Sequence, residues 1–292
     1  RAGCDAGLID MQIKALDHVA AQAPEVPMPR VIPANDGSAM ITAKDGAGQA
    51  RLIWLQSALP GICYARFSPH SMALISDLGA QNGRLIAALV DFDHPALARD
   101  FKWNLMQAGW IKAELDCVTD TSRRAILAGI CEEFDALQDD LAGLPQQAIH
   151  NDLNDYNALA DHSTGNPRIS GVIDLGDMCR APRICDLAIT AAYAVLDHPE
   201  PEQTLTALVK GYHQVHPLTG AEIDMLLPLL RMRLAKSIVN STLMAQENPD
   251  DPYITISQAP AWRFLEGPEL NVEMLRMRLR SACGLPINDA AA

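Results

Sequence analysis

The chain contains 292 residues, of which 49% are hydrophobic and 20% are charged. This composition is typical of a globular protein and is too apolar for an intrinsically disordered one. The formal net charge of −13 predicts a surface that repels nucleic acid and anionic lipid headgroups, so we expect no nucleic acid or membrane partner.

The first part of the chain combines one helical pattern with short strand patterns. Ile9, Ile13 and Leu16 recur at helical spacing and predict an amphipathic helix over 9–22, which the following prolines would end. Within 30–66, three β-type runs are separated by Asn-Asp-Gly and Asp-Gly turn signals. We therefore expect a small antiparallel sheet beside one helix.

Helical patterns dominate the rest of the chain. The predicted helices cover 69–96, 97–112, 122–142, 184–197, 201–214 and 219–246. Thr219 and Glu222 have the spacing of a capping box, and 146–176 has the pattern of short strands joined by a turn. These elements predict an α+β protein with two lobes, a β-rich lobe at 1–56 and a larger helical lobe at 57–292.

The seven cysteines are scattered and include no C-x-x-C pair, so neither a disulfide framework nor a zinc site is indicated. Because reduced thiols are typical of the cytosol, we expect a cytoplasmic protein. The sequence leaves its oligomeric state open.

A polar motif in the strand region has the spacing of a kinase catalytic loop. His150, Asp152 and Asn157 fit H-x-D-L-x-x-x-N, and an apolar strand that follows a predicted hairpin ends at Asp174. An acceptor hydroxyl must lose its proton as it attacks a γ-phosphate, and a carboxylate on a rigid loop can accept that proton. We therefore predict that Asp152 is the catalytic base.

Asn157 and Asp174 have the chemistry of magnesium ligands. Mg²⁺ is a hard cation that binds carboxylate and amide oxygens and also bridges phosphate oxygens. The sequence therefore predicts a Mg²⁺ site formed by these two side chains, with ATP or GTP as the phosphate donor.

Other polar residues near the motif have less specific predictions. His150 has the features of a structural residue that holds the loop backbone. Asp177 is a candidate to support the metal ligands without binding the metal itself. Asp186 is a candidate to cap or anchor the helix at 184–197. Asp155 is either a substrate contact or a solvated side chain, and the polar loop pattern favours the solvated state.

Two arginines in the predicted helix at 219–246, Arg231 and Arg233, are candidates for binding a substrate carboxylate. The helical pattern favours a different arrangement, in which Leu229 and Met232 pack inside and both arginines face water.

The motifs resemble the aminoglycoside phosphotransferase and choline kinase superfamily, whose catalytic loop reads H-G-D-x-x-x-x-N and is followed by I-D-x-x-D. The chain is more similar to the hydroxylysine kinases, through HNDLNDYN, GVIDLGDMCRAPRICDLAITAAY and NPDDPYITISQAPAWRFLEGPE. This resemblance implies a protein-kinase-like fold and transfer of a γ-phosphate to the hydroxyl of an amino alcohol or hydroxy amino acid. It also implies that 52–57 forms a hinge, with the backbone of Trp54, Leu55 and Gln56 binding the purine.

The resemblance has gaps in the N-terminal lobe, which we expect to be incomplete. No glycine-rich hairpin or strand lysine precedes Ile9, Lys14 lies in a predicted helix, and Lys44 lies beside the turn that contains Gly46 and Gly48. An alternative hypothesis is therefore a nucleotide-binding pseudokinase or a regulatory kinase-like domain, including one from an aminotransferase fusion.

Overall fold

Short antiparallel strands and long helices alternate in the computed structural model, which describes residues 5–163, 165–268 and 270–287. The helices are α1 (Ala6–Gln22), α2 (Met72–Ala88), α3 (Thr121–Ala136), α4 (Gln138–Gly143), α5 (Arg183–Ala194), α6 (Pro201–Val215), α7 (Gly220–Glu247), α8 (Gln258–Leu265) and α9 (Val272–Ala282). The strands are β1 (Val31–Ile32), β2 (Ile41–Lys44), β3 (Ala50–Ile53), β4 (Leu55–Gln56), β5 (Ile62–Cys63), β6 (Gln146–Ile149), β7 (Ala158–Asp161), β8 (Arg168–Val172) and β9 (Cys179–Pro182).

The N-terminal strands form two small antiparallel pairs, β1 with β4 and β2 with β3. The β2–β3 turn is held by Asp45, whose side chain accepts hydrogen bonds from the backbone N–H groups of Ala47 and Gln49 at 3.0 and 2.9 Å. Gly48 has a φ of 77°, which favours glycine at this position. The Gly46–Gly48 segment is therefore a hairpin turn, as the sequence predicted.

Helix α1 is capped at its N-terminus by Asp5, whose side chain accepts a hydrogen bond from the Gly7 backbone N–H at 2.8 Å. Its predicted apolar face is buried: Ile9, Ile13 and Leu16 are 4%, 6% and 3% exposed. The prediction of an amphipathic helix in this segment is confirmed.

The helical part of the molecule depends on close contact between α2 and α6. A Cβ atom added to Gly79 would lie 2.0 Å from the carbonyl oxygen of Leu208, and one added to Gly211 would lie 1.9 Å from that of Ser76. Only glycine permits this separation of the two backbones. Helix α5, almost wholly buried, packs between this pair and α7, and α7 extends for 28 residues.

Two antiparallel sheets flank the predicted catalytic loop. Strand β6, which enters the loop, pairs with β9, and β7, which leaves it, pairs with both β5 and β8. The loop therefore connects two different sheets, and the end of β8 lies beside the start of β7.

Some predicted elements differ from the structure. The helix predicted at 97–112 is replaced by 3₁₀ turns over Pro95–Ala98 and Leu105–Cys117, since the Asn104 side chain accepts from the Met106 N–H and Gln107 has non-helical backbone angles. The helix predicted at 122–142 is broken at Leu137. Helices α8 and α9 were not predicted.

The predicted α+β class, with a small strand-rich lobe and a larger helical part, is confirmed. The division at residues 56 and 57 stays a prediction. None of the described helices is long and apolar enough to cross a membrane.

Candidate active site

The two predicted metal ligands lie on neighbouring backbone segments. The Ile173 N–H donates to the carbonyl oxygen of Asn157 at 3.0 Å, which extends the β7–β8 pairing by one step. Asp174 follows at once, in a left-handed backbone conformation with φ 67°. Its Oδ1 accepts a hydrogen bond from the Gly176 N–H at 3.1 Å, and the residue is exposed. Asn157 and Asp174 are therefore brought together at one end of the sheet.

The Asp152 carboxylate is oriented by three side chains. Its Oδ1 accepts from Arg233 Nη2 at 2.5 Å, and its Oδ2 accepts from Asn157 Nδ2 at 3.0 Å and from Asn154 Nδ2 at 3.2 Å. The Asp152 side chain is still 21% exposed. Carboxylate oxygens offer about four lone-pair sites, so a further donor such as a hydroxyl can bind.

The same contacts orient the Asn157 amide. Its Nδ2 donates to the carbonyl oxygen of Asp152 at 2.8 Å as well as to the Asp152 carboxylate, which leaves Oδ1 on the opposite side of the amide. Oδ1 accepts no hydrogen bond from a described residue. The described residues include no cluster of three or more His, Cys, Asp or Glu that could hold a metal. Mg²⁺ usually takes only one or two ligands from the protein and the rest from water and phosphate oxygens. One amide oxygen and one carboxylate, from Asn157 and Asp174, are therefore sufficient.

His150 links the catalytic loop to the end of β8. The fully buried ring has Nε2 3.0 Å from the Ile173 carbonyl oxygen, and its Nδ1 accepts from the Asp152 N–H at 3.2 Å. Because a carbonyl only accepts and a backbone N–H only donates, these bonds require a proton on Nε2 and none on Nδ1. The geometry agrees with the predicted structural role.

Asn151 adopts a left-handed backbone conformation, with φ 63°, and anchors the loop to the neighbouring segments. Its backbone N–H donates to Asp186 Oδ1 at 2.6 Å, and its side-chain amide donates to the carbonyl oxygens of Trp103 and Asp177, each at 3.1 Å. Asp186 is fully buried, which raises the pKa of its carboxyl, and it also accepts from Asn82 Nδ2 at 3.1 Å. Asp186 thus anchors the loop to α5 and α2.

Asp177 lies close to the charges of the site. Burial, and next the charge of Asp152, raise the pKa of Asp177, while Arg99, whose Nη2 is 3.8 Å from Asp177 Oδ1, opposes this shift. No hydrogen bond between described residues joins the Asp177 side chain to Asn157 or Asp174. Its support of the metal ligands stays a prediction.

The expectation that Arg231 and Arg233 both face water is wrong for Arg233. Arg231 is partly exposed and pairs with Glu133 at 3.2 Å, but Arg233 is 2% exposed and binds Asp152. The Arg233 guanidinium carbon also lies 4.8 Å from the centre of the Trp103 ring, a cation–π distance.

Lys236, one turn after Arg233, is a second buried cation that the sequence analysis missed. Its Nζ donates to the carbonyl oxygen of Trp103 at 2.7 Å, and burial, and next the charge of Arg233, lower its pKa. A signal was present, since Arg233, Lys236 and Asn240 form a polar stripe at three- and four-residue spacing on an otherwise apolar helix. Such a stripe indicates a buried polar face.

Asp155 is less exposed than the loop pattern suggested, since the residue is only partly exposed. Burial, and in addition the charge of Asp152, raise the pKa of Asp155 to about 6. Its Oδ1 is buried and has no hydrogen-bond partner among the described residues. The side chain lines a cavity of about 540 Å³ next to the catalytic loop.

The predicted purine-binding residues lie on and before β4. Trp54 is partly buried against the core, whereas Leu55 and Gln56 are exposed and pair with β1. No hydrogen bond between described residues joins this segment to the catalytic loop. Nucleotide binding by Trp54, Leu55 and Gln56 stays a prediction.

Comparison with known proteins identifies the class to which this fold and site belong. The family model described as "Phosphotransferase enzyme family" (APH) matches residues 5–223. Since this match covers well over half of the chain, the chain belongs to the APH phosphotransferase enzyme family.

Individual relatives are more distant. Hydroxylysine kinase of Mus musculus is 28% identical over 241 residues, which make up 78% of this chain and 63% of that protein, so the chain spans less than two thirds of the relative's length. The solved structure of a microcompartment-associated aminopropanol kinase matches with a TM-score of 0.65 at 20% identity. The match covers 99% of this chain and 86% of the kinase chain. Amicoumacin kinase, solved with AMP-PNP, Ca²⁺ and Ami, has a TM-score of 0.64 at 16% identity over 90% of this chain and 78% of its own. The two structures establish that the fold is kinase-like.

Proposed function

We propose that this protein is a small-molecule kinase that transfers the γ-phosphate of ATP or GTP to the hydroxyl of an amino alcohol or hydroxy amino acid. Hydroxylysine-like molecules are the leading candidates for the acceptor. The principal support is the geometry of the Asp152 carboxylate. It accepts hydrogen bonds from Arg233 Nη2 at 2.5 Å and from Asn157 Nδ2 at 3.0 Å, and the side chain is still partly exposed. Family membership, and the similarity to hydroxylysine kinase and to the fold of an aminopropanol kinase, support the acceptor class.

In this proposal Asp152 acts on the acceptor hydroxyl. The hydroxyl donates its proton to a free lone pair of the carboxylate as its oxygen forms a bond to the γ-phosphorus. The bond between that phosphorus and the β–γ bridging oxygen breaks, and the nucleoside diphosphate leaves. Arg233 and Asn157 fix the carboxylate in one orientation, so little reorganisation is needed.

Asn157 Oδ1 and the Asp174 carboxylate would hold Mg²⁺. A bound Mg²⁺ would neutralise charge on the phosphate oxygens. The chain's own contribution is to aim the amide oxygen, through the Asn157 Nδ2 bonds to Asp152, and to hold Asp174 beside it through the Ile173–Asn157 backbone bond.

Turnover tests this proposal directly. The purified full chain is incubated with ATP or GTP, Mg²⁺ and a panel of hydroxylysine, homoserine, ethanolamine and 1-amino-2-propanol, and nucleoside diphosphate is measured by a coupled assay. We expect acceptor-dependent turnover, and Asp152→Asn should lower kcat by at least about 100-fold because the proton acceptor is lost. Asp140→Asn, an exposed carboxylate in α4, is the control and should match the parent. Equal rates for Asp152→Asn and the parent would contradict the role of Asp152.

The alternative is a nucleotide-binding pseudokinase or a regulatory domain. It is favoured by the positions of Lys14 and Lys44, the lysines of the N-terminal segment, since both are exposed and Lys14 pairs with Asp10 at 2.6 Å. Nucleotide binding without acceptor-dependent turnover for any member of the panel would support this alternative.

A further inference from the structure

The backbone turn that follows Asp174 determines where its carboxylate lies. Asp174 Oδ1 accepts a hydrogen bond from the Gly176 N–H at 3.1 Å, and a Cβ atom added to Gly176 would lie 2.9 Å from the same oxygen. The carboxylate therefore rests directly on the Gly176 backbone. Because Asp174 is exposed, its orientation depends on this contact more than on packing. A group that holds Gly176 thus also orients the predicted metal ligand.

Arg99 holds Gly176 through its carbonyl group. Arg99 Nη2 donates to the Gly176 carbonyl oxygen at 2.6 Å, whereas the same nitrogen is 3.8 Å from Asp177 Oδ1. The main contact of this nitrogen is therefore the peptide carbonyl and not the ion pair. The Arg99 guanidinium carbon also lies 4.0 Å from the centre of the Phe101 ring, and the side chain is only 21% exposed. The guanidinium is thus held between a ring and a peptide, and it can in turn fix Gly176.

The segment that carries this arginine also contacts the catalytic loop. We call residues 99–104 the bridging segment. The carbonyl oxygen of Trp103, near its end, accepts from Lys236 Nζ at 2.7 Å and from Asn151 Nδ2 at 3.1 Å. Lys236 is fully buried, and Asn151 immediately precedes Asp152. The bridging segment is therefore held by the core on one side and holds the catalytic loop on the other.

The bridging segment joins the two halves of the candidate site. At one end it contacts the turn after the predicted metal ligand, and at the other it contacts the residue before the proposed base. Asn151 Nδ2 links the two halves a second time, since it also donates to the Asp177 carbonyl oxygen at 3.1 Å, one residue after Gly176. Each of these bonds ends on a backbone carbonyl, which only accepts, so the donors have a defined orientation.

We propose, on the basis of the kinase function above, that Arg99 is a positioning residue for Mg²⁺ binding. By holding the Gly176 peptide, it keeps the Asp174 carboxylate beside Asn157, so that both oxygens are in place before the metal binds. Arg99 itself does not bind the metal, because a guanidinium is a cation and has no acceptor atom. Its effect on Mg²⁺ therefore passes through Asp174.

Binding of a nucleotide analogue measures this role without turnover. The affinity of the full chain for AMP-PNP or GMP-PNP is measured by calorimetry in EDTA and at a series of Mg²⁺ concentrations, which gives the Mg²⁺ concentration that produces half of the increase in affinity. Arg99→Met removes the hydrogen bond but keeps a long side chain, and it should raise this concentration by about 10-fold to 100-fold, the usual effect of losing a residue that holds a metal ligand. Arg99→Lys retains the charge and a donor and should raise it less. The affinity in EDTA should be the same for both variants and the parent.

A double-mutant cycle shows whether Arg99 acts through Asp174. In the Asp174→Asn background the metal ligand is already impaired, so Arg99→Met should not lower the analogue affinity further at any Mg²⁺ concentration. Arg180→Met is the matched control, since Arg180 also binds an aspartate, Asp93, at 2.5 Å, but both side chains are exposed. This control should have the same Mg²⁺ requirement as the parent.

The outcomes separate this proposal from the kinase function. If the parent turns over an acceptor but Arg99→Met leaves the Mg²⁺ requirement unchanged, or weakens analogue binding equally with Mg²⁺ and in EDTA, the positioning role is wrong and the kinase function stands. An effect of Arg99→Met that persists in full in the Asp174→Asn background also contradicts the positioning role. If the parent shows no turnover but Arg99→Met raises its Mg²⁺ requirement, the positioning role is supported and the kinase function fails. If neither analogue binds to the parent, both proposals fail.

Discussion

Asp152 is held by residues from two distant parts of the chain. Asn154 and Asn157 belong to its own loop, whereas Arg233 lies in the middle of α7 and is almost completely buried. A buried arginine is costly unless it is paired, and the Asp152 contact, the Tyr193 hydroxyl and the aromatic rings provide those partners. We infer that Arg233 positions the proposed base.

Replacing Arg233 by lysine tests this positioning role. Arg233→Lys keeps the charge but loses the planar donor geometry, so we expect kcat to fall by roughly 10-fold to 100-fold, the loss of one charge-assisted hydrogen bond. The affinity for ATP, measured by calorimetry, should change little. Arg231→Lys alters a partly exposed pair on the same helix, away from Asp152, and should leave both quantities near those of the parent. An equal kcat for the two variants would contradict the role of Arg233.

Sequence reasoning finds residues that are related by local spacing and misses those that are related only by the fold. Asp152 and Asn157 lie five residues apart, and Asp174 follows one hairpin later, so their proximity could be predicted. Arg233 is separated from Asp152 by 81 positions, and only tertiary packing brings the two together. The partly buried position of Asp155 was missed for a similar reason, since residues near 64–70, 193–199 and 256–260 line the same cavity.

At the scale of elements, glycine positions control how closely helices pack. The α2–α6 contact places Gly79 against the backbone of Leu208, whereas Gly129 in α3 has open space at the position of a Cβ atom. Periodicity predicted both helices, but it could not distinguish these two glycines because the difference lies in the neighbouring helix. The 3₁₀ turns over Leu105–Cys117 were missed for a comparable reason, since the side chain of Asn104 competes with regular helical bonding.

The same substitution at these two glycines should have opposite effects. Gly79→Ala places a methyl group 2.0 Å from a carbonyl oxygen, so the helices must separate, and we expect a loss of about 1–3 kcal/mol in the free energy of unfolding. Gly129→Ala meets no atom within 4 Å and should gain about 0.5–1 kcal/mol from higher helix propensity. Urea denaturation measures both. A stabilised Gly79→Ala variant would show that α2 and α6 are not packed as described.

At the scale of the whole molecule, α7 connects the helical core to the candidate active site. Its first turn is capped by Thr219 and Glu222, the capping box that the sequence predicted, and Glu222 also binds Arg183 at the start of α5. Eleven residues further along, the same helix presents Arg233 to Asp152. The strand-rich and helical parts and the order of the main elements could be predicted, but this connection could not, because it depends on how α5 and α7 pack.

The pH dependence of stability should reveal the buried Arg183–Glu222 pair. Burial raises the pKa of Glu222, but the hydrogen bonds from Arg183 at 2.6 and 2.9 Å and those from Thr219 outweigh it and lower the pKa below its usual value. A carboxyl whose pKa is lowered in the folded state contributes stability that is present above the unfolded pKa, about 4.3, and is lost as the pH falls through the folded value.

We therefore expect Glu222→Gln to lower the free energy of unfolding by about 3 kcal/mol at pH 7, since it leaves a half-buried arginine without its charge partner. The difference from the parent should shrink as the pH is lowered below about 4, where Glu222 itself becomes protonated. Glu266→Gln is the matched control: Glu266 also binds an arginine, Arg123, through two hydrogen bonds, at 2.7 and 3.1 Å, but both side chains are well exposed. It should cost no more than about 1 kcal/mol at pH 7. Urea denaturation at a series of pH values measures these differences, and equal losses for the two variants would show that burial does not strengthen the α5–α7 pair.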